Sequence, residues 1–272
     1  MEASCGCIIA DGATFIAEGA FADRQLSAAV IPLSVTAIGK SAFLWNRLSS
    51  VGIPGGVTHI GAWAFAWNKL KAVAIPQGIS AIAEGAFAGN QLSALSIPDG
   101  VRRIEDWAFE RNSLHEISLP QSVGFIGEGA FARNCLVRVD LPDGLRAVSQ
   151  AAFSDNLLSG ISLPAGTLSV GDWAFAWNRI EALALPDGLR AIGEGAFSNN
   201  RLSSLVIPES VEEIGNMAFF SNPIERLRVP GGLHLAPGVM GRHGPAFLER
   251  YEGLGRKAGL YGFSAGEWSF LG

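Results

Sequence analysis

Several things are scarce or missing in this 272-residue chain, and each absence removes a class of function. No block of basic residues occurs and the formal net charge is −5, which gives no reason to expect a nucleic acid or an anionic membrane as partner, because phosphate contacts need clustered Lys and Arg. No apolar run approaches the ~18 residues that a membrane-spanning helix needs. Only three cysteines are present, Cys5, Cys7 and Cys135, too few for a disulfide framework. Cys5 and Cys7 stand one residue apart, poor spacing for a tetrahedral zinc site. The four histidines, His59, His115, His234 and His243, are scattered without metal-ligand spacing. Neither a metal nor a cofactor is expected. The stretch Met1 to Cys5 lacks the basic and apolar regions of an export signal, so the expectation is a protein that is not exported or one whose signal has been removed.

What the chain does have is a period. Ala-Phe recurs ten times at a step of 22 residues, the Phe falling at Phe21, Phe43, Phe65 and onward to Phe219. A proline keeps the same register from Pro32 to Pro230, and an asparagine follows each Phe by three residues from Asn46 to Asn222. Self-similarity at this period marks a solenoid, whose units cannot bury an apolar face alone and are sealed by their neighbours. Within one unit, Leu48, Val51 and Ile53 form an LxxLxL stretch. The alternation of Val51 and Ile53 aims both side chains to one side of a short strand, with Ser50 and Gly52 on the other. Pro54 ends the strand, Val57 and Ile60 return to the core, and Gly61 opens a short helical turn carrying Ala64 and Phe65. One parallel sheet of ten such strands is expected. The Asn column is read as structural, its amide bonding the neighbouring unit's backbone. The acids three residues before Phe (Glu18, Glu84, Asp106, Glu128, Asp172, Glu194) are read as favouring the dipole of that turn, since single carboxylates one unit apart lack the converging ligands of a calcium site.

The pattern NxLxxVxIPxxVxxIGxxAFxxN resembles the BspA-like, or Treponema-type, bacterial leucine-rich repeats over residues ~16 to 230. The resemblance implies an α/β repeat solenoid, right-handed and curved, with a parallel β-sheet on the inner face and short helical turns on the outer face. It also implies a non-enzymatic adhesion or protein-binding role, commonly at a bacterial surface and toward host or other bacterial proteins. The unit here has 22 residues, where the family more often has one more. The expected organisation is an N-terminal cap over residues 1–15, the ten-unit solenoid over 16–230, and a C-terminal cap over 231–272. In that last part Pro245 to Tyr251 reads as a short helix with proline in its first turn, and Leu260 to Phe263 with Trp268 to Leu271 reads as a hairpin. An open solenoid end exposes apolar surface, so a cap is required.

Two places stand out as partner-binding candidates, and no residue set suggests catalysis or cofactor binding. Thirteen of the twenty outward positions of the strands are Gly, Ala or Ser; charge gathers at Glu116, Arg138 and Asp140 and again at Arg226 and Arg228. The tryptophans form the second place. Trp63 and Trp67 flank Phe65 at two residues' distance, and Trp173 and Trp177 flank Phe175 likewise. Trp63, Trp107 and Trp173 lie in register with small residues (Ser41, Gly85, Gly129, Ala151, Gly195) and are expected to pack between units. Trp45, Trp67 and Trp177 are divided between packing and anchoring a partner, as exposed aromatics at interfaces do. The first functional expectation is a monomeric surface or secreted adhesin that binds a protein through its solenoid faces. The second is a cytoplasmic scaffolding module of the same fold.

Overall fold

The computed structural model of the protein describes residues 6–272; Cys5, and with it part of the expected N-terminal cap, lies outside them. The chain forms a parallel-strand solenoid of about ten turns that falls into two compact units, Met1–Pro142 and Asp143–Gly272. In the first unit the six rings from Phe21 to Phe131 include stacked neighbours with centroids 5.2–5.7 Å apart. In the second, Phe153, Phe175, Phe197 and Phe219 stack at 5.4–5.6 Å. From Phe43 onward these rings are fully buried or nearly so. The preceding Ala is buried with them, because nothing larger fits between successive turns.

Successive turns are tied by three ladders rather than one. The expected strands of the LxxLxL face are present as Gly6–Ile8 paired with Ala28–Val30, Glu116–Ser118 with Arg138–Asp140, Gly160–Ser162 with Ala182–Ala184, and Ser204–Val206 with Arg226–Val229. That face is not the single continuous sheet expected. Ala74, Ser96 and Ser118 are joined only by isolated parallel bridges, and residues 50–52 form no strand. The outward positions there are Gly, Ala and Ser, but Gly160, Ser162, Ala182 and Ala184 are of the same types and do form a ladder, so composition does not account for the interruption.

The more regular ladder is one the sequence reading missed. Ten two-residue strands, beginning with Phe15–Ile16, Ala37–Ile38 and His59–Ile60, lie just ahead of each Ala-Phe turn and pair in parallel register within three sheets. Their second residue, Ile or Val, is the buried one. Strands this short show no alternation that a sequence can reveal.

The third ladder runs through the Ala-Phe turns and corrects the expectation of short helical turns there. The residues two before and two after each Phe all have left-handed backbone, from Gly19 (φ 61°) and Asp23 (φ 51°) to Met217 (φ 55°) and Ser221 (φ 57°). An α-helical turn is excluded by that alternation. Its consequence is seen in the hydrogen bonds: Trp63, Phe65 and Trp67 donate their N–H groups to Glu84, Ala86 and Ala88 of the next turn, whereas Ala64 and Ala66 donate back within their own. The acids before Phe change meaning accordingly. Asp106 and Asp172 serve no helix dipole; each Oδ1 accepts the N–H of Glu128 or Glu194 one turn on, at 2.7 Å.

The Asn column does what was expected of it. Asn68 is buried, its Nδ2 donates to the carbonyls of Phe43 (2.9 Å) and Phe65 (3.1 Å), and its Oδ1 accepts the N–H of Leu48 at 3.0 Å. Two successive turns are thereby fixed by one side chain. In the tail, the helix Gly244–Gly253 and the hairpin Gly259–Ser264 with Glu267–Phe270 appear where the sequence placed them, and this helix is the one α-helix among the described residues. The hairpin adds an antiparallel strand to Arg226–Val229. Phe247, Tyr251, Tyr261 and Trp268 form a buried edge-to-face cluster, and Tyr251 donates its hydroxyl to the carbonyl of Pro230 at 2.7 Å. Burial raises the pKa of both tyrosines above the ordinary value.

Candidate functional site

The tryptophans sit on the third ladder, and the fold decides which of them can be reached. Trp63, Trp107 and Trp173 occupy the left-handed position before Phe and are half-buried. A Cβ placed on Gly85 would collide with the Trp63 ring, which lies over that glycine and stacks on the ring of Trp107 at 6.1 Å with 26° between the planes. Trp173 covers Gly195 in the same way. These three rings pack between turns, as the alternation of large and small residues indicated.

Trp45, Trp67 and Trp177 occupy the left-handed position after Phe and are exposed, by 59%, 39% and 50%. Trp67 is the intermediate case: its ring lies over Gly89 on the next turn, and the guanidinium of Arg111 from the turn after that stands 5.8 Å from the ring centroid. Trp177 stacks on Trp173 at 5.3 Å across Phe175. The backbone at this column asks for Gly, Asn or Asp, which enter the left-handed region readily; other residues cost about 1–2 kcal/mol there. Gly89, Asp23, Asp155 and Asn199 meet that demand. Trp45, Trp67 and Trp177 do not, and they add exposed apolar surface. Neither local conformation nor core packing accounts for Trp45.

The charged candidates lie on the strand face. Arg138 lies directly across the ladder from Glu116 and pairs with Asp140 at 3.0 Å, both side chains about three-quarters exposed. Such a pair contributes about 0–1 kcal/mol. Arg226 and Arg228 project from the strand that the hairpin covers on one edge, opposite Gly262 and Leu260. Two clusters escaped the sequence reading because their members lie one turn apart. Arg103 stacks over Phe125 at 4.0 Å while pairing with Glu105 at 2.7 Å, a hydrogen bond that raises the arginine's pKa. Glu110 accepts from Arg133 at 3.0 Å and stands 3.6 Å from Arg111. The 22-residue offset was the signal that could have found the Arg103–Phe125 contact; Glu110 and Arg133 lie 23 residues apart.

Stacked turns, parallel ladders and a buried Asn-Phe column define a leucine-rich-repeat solenoid. The BspA type leucine rich repeat region matches over residues 14–137 and 124–235, and the chain belongs to that family. Families of this kind are generally non-enzymatic scaffolds for protein interaction. Among solved structures, a leucine-rich repeat protein from Bacteroides ovatus is similar at 22% identity and a TM-score of 0.63, covering 89% of this chain and 73% of its own. The pneumococcal vaccine antigen PcpA is similar at 20% identity and a TM-score of 0.59, covering 85% and 74%. A leucine-rich cell surface protein from Faecalibacterium prausnitzii is similar at 21% identity and a TM-score of 0.51, covering 84% and 82%. A search of curated proteins finds no match.

Proposed function

We propose that the chain is a monomeric, non-enzymatic binding module that engages a protein partner, as an adhesin toward host or bacterial surface proteins, with Trp45, Trp67 and Trp177 as anchors. The observation that carries this reading is the placement of exposed indole rings at left-handed positions where small residues would be more stable. Strain of this kind is retained where a function uses it, and buried aromatics dominate binding energy in interfaces. Glu116, Arg138 and Asp140 in the first unit, and separately Arg226 and Arg228 in the second, supply polar contacts. The segment 231–272 acts as the cap of the solenoid. The neighbouring structures of a vaccine antigen and a cell surface protein support display at a surface.

The test is affinity capture from host and bacterial extracts with the wild-type chain, with Trp45, Trp67 and Trp177 each changed to Ala, and with Arg138 and Asp140 changed to Ala. Each Trp change is expected to weaken retention of the captured protein by about tenfold, the effect of a hot-spot residue, while the melting transition stays near that of the wild type. If the Trp changes leave capture intact and the Arg138–Asp140 change abolishes it, the anchors are wrong and the strand face is the site.

A further inference from the structure

The left-handed column after each Phe in the first compact unit reads Asp23, Trp45, Trp67, Gly89, Arg111, Arg133. Four of these six are the bulkiest aromatic or the longest cation, at positions whose backbone favours Gly or Asn. Two residues further along the same turns stand Arg47 and Lys69, both exposed. The strip from residue 23 to residue 133 therefore carries five cations (Arg24, Arg47, Lys69, Arg111, Arg133) against two carboxylates (Asp23, Glu110), on a chain whose formal net charge is −5. Glu110 is already engaged by two guanidiniums, so it cancels no more than one of them. At the middle of the strip the indole of Trp67 covers Gly89 and the guanidinium of Arg111 stands over that ring, 5.8 Å from its centroid, so ring and cation are presented together. Desolvation of such a cation–ring pair by a ligand strengthens it.

We infer that this strip is a docking surface for an extended, acidic peptide segment that carries aromatic or aliphatic side chains between its carboxylates. The inference rests on the protein-binding reading and names the chemistry of the partner. The spacing suits such a ligand. Neighbouring turns are separated by the 5.2–5.7 Å of the Phe stack, so the four steps from Trp45 to Arg133 span roughly 20 Å, which an extended peptide covers in about six residues. Its apolar side chains would lie on Trp45 and Trp67, and its carboxylates would meet Arg47, Lys69, Arg111 and Arg133, with Arg forming two parallel hydrogen bonds to a carboxylate. A single-stranded nucleic acid would also stack on indoles. It fits less well, because five cations interrupted by Asp23 and Glu110 neutralise few phosphates, and phosphate neutralisation supplies most of such binding.

The experiment uses the full chain and a fluorescein-labelled peptide of about eight residues alternating Asp or Glu with Phe or Leu, read by fluorescence anisotropy at low ionic strength and at about 0.15 M salt. Two controls run beside it: a peptide with its acids replaced by Lys, and labelled oligothymidylate. The expected result is binding of the acidic peptide alone, weakened by added salt. Arg111→Gln with Arg133→Gln should reduce both affinity and salt dependence. Trp45→Ala should weaken binding by about tenfold, and so should Trp67→Ala, with Trp67→Phe, which keeps a ring over Gly89, retaining most of it. Failure of the acidic peptide to bind, binding that the Arg and Trp changes leave untouched, or tighter binding of oligothymidylate or of the Lys peptide would each overturn the inference. The affinity capture described above stands apart from these results: if Trp changes abolish capture but the acidic peptide does not bind, the protein-binding reading survives and the acidic partner does not.

Discussion

Replacing Asn112 tests the idea that one buried amide per turn fastens the stack. Asn112 is 8% exposed; its Oδ1 accepts the N–H of Leu92 at 3.0 Å, and its Nδ2 donates to the carbonyls of Phe87 at 3.0 Å and Phe109 at 3.1 Å. Asn112→Ala strips all three groups at once. Each buried polar group left unsatisfied costs about 1–3 kcal/mol, the N–H most reliably, so a total of roughly 3–5 kcal/mol is expected after partial relief by water. Asn112→Asp is the sharper probe. It keeps an acceptor for Leu92 but turns an oxygen toward two carbonyl oxygens, so the native state favours the protonated carboxyl, whose O–H can donate. The folded-state pKa of the introduced carboxyl then lies above its unfolded value of about 3.9. Between these two values the native state binds more protons than the unfolded one, so stability relative to wild type falls as pH rises and recovers as pH drops toward 4. Urea unfolding followed by far-UV circular dichroism, with wild type and variant compared from about pH 4 to pH 8, measures this difference. A gap between the two proteins that is the same at both ends would refute the reasoning, as would an Asn112→Ala protein as stable as the wild type.

Three further outcomes are expected. Phe109→Ala should cost about 3–5 kcal/mol by opening a cavity between the rings of Phe87 and Phe131, and hydrogen exchange should quicken in the adjoining turns as well as in its own. Ser198→Ala should stabilise the protein by about 1 kcal/mol in thermal melts, since the buried Ser198 hydroxyl finds no hydrogen-bond partner and Ala66, Ala88, Ala132 and Ala176 fill the same place in other turns; a lower melting temperature would contradict this. Truncation after Pro230 removes the hairpin strand that pairs with Arg226–Val229 and the Tyr251 contact to Pro230. Light scattering should then reveal association through the bared strand edge, and a monomeric truncated protein with an unchanged melting transition would mark the tail as an appendage.

Much of this fold was legible because single residue types recur at one step. The Phe and Asn columns each have one job that only one side chain performs well, so the period displays them directly. The two-residue strands ending in Ile or Val gave no such signal, being too short to alternate. The Ala-Phe turn was misread as helical although Gly19, Gly85, Gly89, Gly129 and Gly195 pointed to left-handed backbone; Trp, Arg, Ser and Met in the same columns concealed the requirement. For the candidate site, the packing of Trp63, Trp107 and Trp173 could be read from their small in-register neighbours, whereas Trp67, which also covers a glycine, could not be assigned that way. The contact of Arg111 with Trp67 could not be read either, because it spans two turns and passes over a glycine.

The alternation of large and small residues before each Phe limits how this chain could lengthen. Trp63 needs the bare backbone of Gly85, Trp107 that of Gly129, and Trp173 that of Gly195. Copying the turn of Trp63 alone would set one indole against another Cβ in the left-handed column, whereas copying it together with the turn of Gly85 preserves every contact. Along these stretches the heritable unit is two turns, although the hydrogen-bond pattern repeats with every one.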